Sequence, residues 1–513
     1  ARADEAGFAK RADLGTEAFS SPSEKGSVEL SGYFRSRGEM LYNLDLDRGL
    51  TPSGDPLFPL PAGDSTAQAL TGANMRLRTD LRLRAPGSGL SVVLRTDVLD
   101  NLSLGSTPSL RGGTPAASPG QRTPESAFQV KRAYGEAILP IGAIIVGRQG
   151  SHWGLGMLAN SGDCEDCDSG DAADRIAFVT PLVGHIFALA YDISATGPQT
   201  EDRSQARSID IEPTDDVQNL TFAFLRYHTD LARERRRRAG FTTLEYGAYV
   251  SHRWQDKDIP SSYLGDSLNT NPDSIMQRGY SATASDMWIR FERGKVKLEL
   301  EAAYLRAEVD QTSLVPGVEF YESATSSQLG AALETELALP AIGLTLGFDA
   351  GFASGDPSPG FGAVTDLNAP LPQPGDLDGA QANLPFDRKI DNFRFHSDYR
   401  IDRILFREII GTVTDAVYLR PNFRFPIADA GGAKLLFETA LIASWAVKSS
   451  STPSGSRALG VELDPSLRYE TRDGFVATLD YALLLPLAGL DNPSAGLDAR
   501  AAQLLRFRLR FPF

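Results

Sequence analysis

The last ten residues of the chain carry the sequence pattern that most restricts its fold. Apolar side chains and arginines alternate strictly from Leu505 to Phe511, and successive side chains of a β-strand point to opposite faces. One face is therefore apolar and the other cationic, as expected of a strand between lipid and water. A soluble sandwich strand shows the same alternation over fewer residues, so this segment alone favours a membrane strand only modestly. The apolar positions are Leu505, Phe507, Leu509, Phe511 and Phe513, and the cationic ones are Arg506, Arg508 and Arg510.

The same alternation recurs along the whole chain. Residues 74–84 and 90–98 alternate in this way and are joined by the glycine-rich turn 85–89, which predicts a tight hairpin. No apolar run approaches the roughly 20 residues of a membrane-spanning helix. We count about eighteen strand candidates, which start near Ser27, Asn74, Leu90, Ala127, Gly142, Asp174, His185, Asp216, Phe241, Ser285, Lys295, Gln328, Ile342, Val413, Lys434, Leu459, Phe475 and Ala501.

Short turns alternate with long polar segments between these strands. The short turns include 140–142, 181–184, 293–295, 340–342 and 471–474, and the long segments are 41–73, 100–126, 151–173, 194–215, 255–284 and 354–411. This rhythm is typical of transmembrane barrels. We therefore predict an all-β fold: one large antiparallel transmembrane β-barrel over 27–513, with all long segments outside. Residues 1–26 form a lead that is a short helix or disordered.

The final strand, with its alternating aromatic residues and terminal Phe513, resembles the C-terminal signature of Gram-negative outer-membrane β-barrel proteins. This resemblance implies a bacterial outer-membrane location and recognition by the barrel assembly machinery. It also implies contact with outer-membrane lipid and lipopolysaccharide. With an even strand number, both termini are expected in the periplasm. In length, strand number and basic lumen, the chain looks like porins and alginate-export-type channels.

The inward-facing charges are unevenly distributed around the predicted barrel. One side is basic, and we call its residues the arginine wall: Arg35, Arg37, Arg76, Arg78, Arg82, Arg84, Arg95, Arg132, Arg506, Arg508 and Arg510. The opposite side is acidic or mixed, with Glu299, Glu301, Glu334, Glu336, Asp349, Glu438, Glu462 and Asp464. Opposed charged walls orient polar solutes in channels, and arginine suits carboxylate and phosphate groups. The alternative is that these charges only hydrate or bridge one another.

These features predict a porin-like channel for hydrophilic solutes. The solutes are expected to be anionic small molecules or an anionic polymer. The alternative is a structural or adhesive anchor, or part of a surface complex, with an occluded pore. The net charge of −15 argues against nucleic-acid binding. None of the five histidines lies in a recognised catalytic or metal motif, so we predict no enzyme activity and no cofactor. The run Arg235–Arg238 is either solvated or a contact for a periplasmic partner or anionic lipid.

The longest loop, 354–411, is predicted to be a plug or a cap, since loops of this length are functional or disordered. Its apolar residues Ile401, Ile404, Leu405, Ile409 and Ile410 follow near-helical spacing. If this short helix folds inward, Arg400, Arg403 and Arg407 form a constriction. The alternative, which the sequence leaves equally open, is a surface loop that packs on neighbouring loops.

An acidic cluster surrounds the two cysteines. Asp163, Glu165, Asp166 and Asp168 are a weak calcium candidate, because calcium prefers clustered oxygen ligands but the EF-hand spacing is missing. A solvated acidic loop is the favoured interpretation. In an oxidising compartment, Cys164 and Cys167 are expected to form a local disulfide.

Overall fold

The computed structural model is one closed antiparallel β-barrel. It describes residues 26–61, 68–105, 128–197, 200–204, 207–260, 263, 272–363, 371–384 and 386–513. Most of the predicted lead, 1–25, lies outside the described residues. Eighteen staves close the barrel, because the first strand pairs with the last. The predicted fold class and strand number are confirmed.

The strands follow the predicted order. Each predicted start has a counterpart, and the largest difference is at β12, which begins at Met276 rather than Ser285. The strands are β1 Ser27–Tyr42, β2 Ala69–Arg84, β3 Leu90–Ser103, β4 Phe128–Leu139, β5 Gly142–Gly150, β6 Ala172–Leu182, β7 His185–Ala195, β8 Thr200–Ser204, β9 Arg207–Asp210, β10 Val217–Arg226, β11 Thr243–Asp258, β12 Met276–Arg293, β13 Val296–Val309, β14 Ala324–Leu339, β15 Leu344–Ala353, β16 Ala416–Ala430, β17 Ala433–Ala446, β18 Ala458–Leu463, β19 Ser466–Thr471, β20 Val476–Pro486 and β21 Ala502–Pro512.

Two features reduce these 21 strands to eighteen staves. β8 and β9 pair only with each other, as a hairpin within the long loop between β7 and β10. β18 and β19 are two halves of one stave, since both pair with β17 on one side and with β20 on the other. Every stave pairs in antiparallel fashion with a neighbour on each side. No stave is therefore left with an open edge.

The outer surface of the barrel is apolar. On β21 the outward residues Leu505, Phe507 and Phe511 are each exposed by nearly half, while Arg506 between them is 1% exposed. A broad belt of exposed leucine, valine, isoleucine and phenylalanine side chains would be unstable in water. This belt is the lipid-facing surface of an outer-membrane-type barrel.

Short and long connections lie at opposite ends of the barrel, as predicted. The connection between β10 and β11, which carries the run Arg235–Arg238, contains the helix α1 Asp230–Arg238, capped by Thr229. Arg233 of α1 pairs with Glu245 of β11 at 3.1 Å, which fixes the helix against the barrel. The other described helices are Pro272–Ser274, the π-helix Leu405–Ile410 and Ala488–Leu490. None of the described helices is long and apolar enough to span a membrane.

Two long loops fold into the barrel, which corrects the expectation that all long segments lie outside. We call the described residues 354–363, 371–384 and 386–415 the inward loop. It places Phe393, Phe395, Ile404, Leu405 and Ile409 in an apolar core inside the barrel. The second loop, 151–171, enters the lumen beside it and contributes Leu155 and Met157 to the same core.

The inner face of the barrel is consequently apolar near the long loops. Ala482 and Leu484 of β20 and Leu504 of β21 point inward and pack in the core with the inward loop. A pattern that assigns every apolar side chain to lipid fails here, because an apolar plug in the lumen needs apolar wall residues.

We predict that Leu504→Ala lowers the free energy of unfolding by about 2–5 kcal/mol, the usual cost of truncating a buried leucine. Leu505→Ala is the matched control on the lipid face and should cost less, because lipid tails can refill the lost volume. Denaturant unfolding in detergent micelles measures both. Equal losses would contradict an apolar core inside the barrel.

Candidate functional site

The register of three adjacent strands builds the centre of the arginine wall. Arg35 of β1 lies opposite Arg76 of β2 on one side and opposite Arg510 of β21 on the other. Arg37 lies opposite Arg508 in the same way. Arg35 and Arg76 are 0% exposed. Like charges directly opposite each other destabilise a sheet, and buried cations need partners. This patch therefore requires carboxylates.

The loop 151–171 supplies those carboxylates through the segment 163–168, which we call the acidic tip. Asp166 lies between three guanidinium groups, at 2.6 Å from Arg407, 2.9 Å from Arg508 and 3.1 Å from Arg37. Because Arg37 and Arg508 belong to the wall and Arg407 to the inward loop, this single carboxylate joins all three parts of the lumen.

The two other aspartates of the acidic tip extend the contact along the wall. Asp168 is 3.0 Å from Arg35 and from Arg37, and 2.7 Å from Arg400 of the inward loop. Asp163 pairs with Arg132 at 2.8 Å and also contacts Arg95. The carboxylates thus follow the wall from β1 to β4.

Backbone carbonyl groups complete the docking of the acidic tip. Arg76 donates to the carbonyl oxygen of Cys167 at 2.7 Å and to that of Asp168 at 2.9 Å. Arg35 also donates to the Cys167 carbonyl, at 3.1 Å. Cys164 and Cys167 form the disulfide expected from the sequence. This bridge closes a four-residue ring, so the carbonyl groups are presented to the wall in one fixed arrangement.

The ionisation of the acidic tip follows from this pairing. Burial alone would raise the pKa of Asp166, but Arg407, Arg508 and Arg400 outweigh burial and hold its pKa well below the usual range. The same balance lowers the pKa of Asp163, through Arg95 and Arg132, and that of Asp168, through Arg400 and Arg37. The tip therefore remains anionic at neutral pH.

The inward loop is held by one buried carboxylate of the barrel wall. Glu462 of β18 accepts hydrogen bonds from the backbone N–H groups of Arg403, Ile404 and Leu405, at 2.9, 2.8 and 3.0 Å. These bonds fix the start of the π-helix Leu405–Ile410, which buries Leu405, Phe406, Ile409 and Ile410. The predicted short helix is present and is folded inward.

The two loops also bind each other. Asp398 of the inward loop accepts hydrogen bonds from the backbone N–H groups of Asp168 and Ser169, at 2.8 and 3.0 Å. The backbone N–H of His396 donates to the carbonyl oxygen of Met157 at 2.7 Å. The acidic tip is therefore enclosed between the arginine wall and the inward loop.

A water-accessible cavity of about 900 Å³ lies in the lumen below these loops, and its lining includes Lys295 and Glu470 near the short turns. Acidic and basic residues alternate in its lining. Glu299 is 2.7 Å from Lys297 and also pairs with Arg290, while Asp349 pairs with Arg420. Part of the predicted acidic side is thus paired with cations of the barrel, whereas Glu301 and Glu462 accept backbone N–H groups of the two loops. The basic side pairs with the acidic tip, so bridging accounts for many of the charges that the sequence assigned to opposed walls.

The other predicted arginines occupy different surroundings. Arg403 reaches Asp480 of β20 at 2.9 Å, and Arg506 contacts Glu39 and Glu408, each at 2.8 Å. Arg510 faces Glu165 at 3.6 Å. Arg78 forms a two-bond pair with Asp97, both bonds at 2.7 Å. Arg82 and Arg84 pair with Glu136 and Glu29 at the short-turn end and do not contact the acidic tip.

The interpretation of 163–168 as a solvated acidic loop is wrong. The Asp163 and Asp166 side chains are 6% and 13% exposed, and the wall occupies their oxygen atoms. The same pairing removes the calcium alternative at Asp163, Glu165, Asp166 and Asp168, since guanidinium groups already neutralise these carboxylates.

Sequence reasoning also missed functional contacts made by residues distant in the chain. Arg468 of β19 forms a two-bond pair with Glu165, at 2.6 and 2.9 Å, and Asp398 and Glu462 anchor the loops. Charge complementarity is the sequence signal that could have revealed this docking. Four acidic residues lie around a disulfide-linked pair of cysteines, and they match the charge of a row of inward-facing arginines.

Comparison with known proteins gives similarities of structure only. No protein-family model and no curated protein matches the chain. OccK11 (OpdR) of Pseudomonas aeruginosa is similar with a TM-score of 0.47 and 10% identity, over 96% of this chain and 97% of that chain. OpdK of the same organism, crystallised with vanillate, gives 0.45 and 10%, over 96% and 99%. OmpT, an outer membrane protein of Vibrio cholerae, gives 0.34 and 10%, over 95% and 98%.

We predict that the docked acidic tip makes stability fall in acid. The lowered pKa values mean that the unfolded chain binds protons first, so the contribution is complete above about pH 5 and is lost progressively as the pH falls further. Asp166→Asn should remove about 3–5 kcal/mol at neutral pH, as for a broken buried pair, and flatten the pH profile below about pH 5.

The measurement is the free energy of unfolding against pH in detergent micelles. Asp498→Asn, which changes an exposed carboxylate on another long loop, is the control and should keep the original profile. An Asp166→Asn profile parallel to that of the unmodified chain would show that the tip is not docked.

Proposed function

We propose that the chain is an outer-membrane channel that passes hydrophilic, anionic solutes along its arginine wall. The observation that carries this proposal is that the wall binds carboxylates in the structure itself, at Asp163, Glu165, Asp166 and Asp168. In this arrangement the short-turn end and both termini face the periplasm.

The chemistry of the wall supports anionic solutes. A guanidinium group presents a planar set of donors that matches a carboxylate or phosphate, and it stays charged at any physiological pH. Arg468 and Arg510 line the open cavity and keep about a fifth to a quarter of their side-chain surface exposed. A solute entering from the short-turn end would meet these two cations in the open part of the lumen.

The acidic tip would act as an internal competitor for the wall. When an anionic solute displaces Asp166 or Asp168, its own anionic group takes the place of the aspartate carboxylate. The arginines of the wall therefore stay paired at each step. We infer that Arg400, Arg403 and Arg407 form the movable side of this constriction, since Arg400 and Arg407 bind the acidic tip from the inward loop.

A second function is favoured by one observation, the apolar core of the inward loop. Phe393, Phe395, Ile404 and Leu405 are at most 2% exposed inside the barrel. A plug with a packed core resists displacement, which suits a structural or adhesive anchor with an occluded pore. Conductance in planar bilayers separates the two: ohmic steps support the channel, and a silent barrel supports the anchor.

We predict that Arg468→Gln together with Arg510→Gln lowers the anion-to-cation permeability ratio several-fold, because two cations disappear from the open part of the lumen. Reversal potentials in a salt gradient give this ratio. Arg148→Gln is the control, since its guanidinium lies half-exposed on the outer face of β5 and pairs with Asp174. An unchanged ratio in the lumen variant would rule out anion selection by Arg468 and Arg510.

We also predict that Asp166→Asn combined with Asp168→Asn raises the mean conductance. These two carboxylates hold arginines of both the wall and the inward loop, so their neutralisation releases the acidic tip from both sides. Single-channel recording measures the conductance and the open time. Asp174→Asn on the barrel exterior serves as the control, and an identical conductance in all variants would show that the tip does not limit flow.

A further inference from the structure

A second group of carboxylates lies far from the arginine wall, at the base of the long loop between β7 and β10. Asp210 is the last residue of β9, and Asp215 and Asp216 directly precede β10. One oxygen atom of each side chain lies within 4.8 Å of the others. The β8–β9 hairpin and the turn after it thus bring three negative charges to one point.

Two of the three carboxylates are buried. Asp215 is 0% exposed and Asp216 is 7% exposed. The Oδ1 atom of Asp216 has no solvent contact and no hydrogen-bond partner. A buried carboxylate that faces two others is unfavourable unless a cation neutralises the group.

Contacts of neighbouring residues help to place these carboxylates. Lys257, a nearby cation, is 3.2 Å from Glu212 and pairs with that residue. The backbone N–H of Glu212 donates to Asp210 Oδ1 at 3.0 Å, which orients the Asp210 carboxylate. Gly197 has a φ of +65°, and a Cβ there would lie 2.1 Å from Asp215 Oδ1. A side chain at this position would displace the Asp215 carboxylate.

We propose that Asp210, Asp215 and Asp216 bind a calcium ion. Calcium bonds oxygen at about 2.3–2.6 Å, so two ligand atoms of one ion lie at most about 5 Å apart, and oxygen atoms within 4.8 Å of one another meet this limit. Calcium also accepts several carboxylates in flexible geometry, whereas magnesium demands a near-octahedral site and gives up its waters reluctantly. Water completes the six to eight ligands that calcium takes.

The ion would connect the end of the β8–β9 hairpin to the start of β10. Without it, repulsion between the carboxylates opposes the closed form of the loop. Three carboxylates and water suit the weak class of calcium sites, with Kd on the order of 10⁻⁴–10⁻³ M.

The test is calcium titration of the full-length barrel in detergent micelles, free of lipopolysaccharide, by isothermal calorimetry. The unmodified chain should bind calcium at this site at least tenfold more tightly than magnesium. Asp216→Asn should weaken calcium binding at least tenfold. Asp498→Asn, an equal charge change on another long loop, should leave the affinity unchanged.

A second measurement separates a ligand from a merely structural residue. In chelator, Asp216→Asn should unfold at the same or a higher temperature than the unmodified chain, because it removes an uncompensated buried charge. Calcium should then raise the unfolding temperature of the unmodified chain only. The proposal is overturned if calcium gives no binding heat, or if Asp216→Asn binds it as tightly as the unmodified chain.

Discussion

Compensation of the arginine wall by the acidic tip is the interaction on which the interior of this barrel depends. Closure of the barrel places Arg35 between Arg76 and Arg510. Cations therefore accumulate where β21, β1 and β2 lie side by side. Such a row is not stable inside a protein without anions. The chain supplies them on the loop 151–171, and this requirement draws the loop into the lumen.

The inward loop follows from the same constraint. Once the acidic tip lies on the wall, its outer oxygens still need donors, and Arg400 and Arg407 provide them. These arginines are positioned by a loop whose apolar core packs against Ala482, Leu484 and Leu504. Charge pairing near the middle of the lumen and apolar packing near the long loops therefore support one arrangement.

The fold was predictable from the sequence because a membrane barrel imposes a period of two on every stave. The eighteen strands, their order, and the continuation of Arg506, Arg508 and Arg510 onto the first strands all follow from that period. The lumen was less predictable, because the period says which face a residue occupies and not what fills the space. Leu504 shares its face with Arg506, and the sequence pattern could not show that a loop about 100 residues earlier covers it.

The carboxylate partners of the arginine wall could not be predicted from the sequence for the same reason. Glu165 and Arg468 are 303 residues apart, and only the closed barrel brings them together. The acidic run was assigned to solvent because isolated acidic loops are usually hydrated, whereas here buried arginines compete with water for its carboxylates. Opposite charge on a wall and on a loop of one barrel is a signal that sequence analysis can use.

A double-mutant cycle between Glu165 and Arg468 tests the docking of the acidic tip most directly. Glu165→Gln, Arg468→Gln and the combination are compared by their free energies of unfolding in detergent micelles. A pair in contact should give a coupling energy of about 0.5–3 kcal/mol. Additive effects, with a coupling near zero, would mean that the acidic tip is not docked in the lumen.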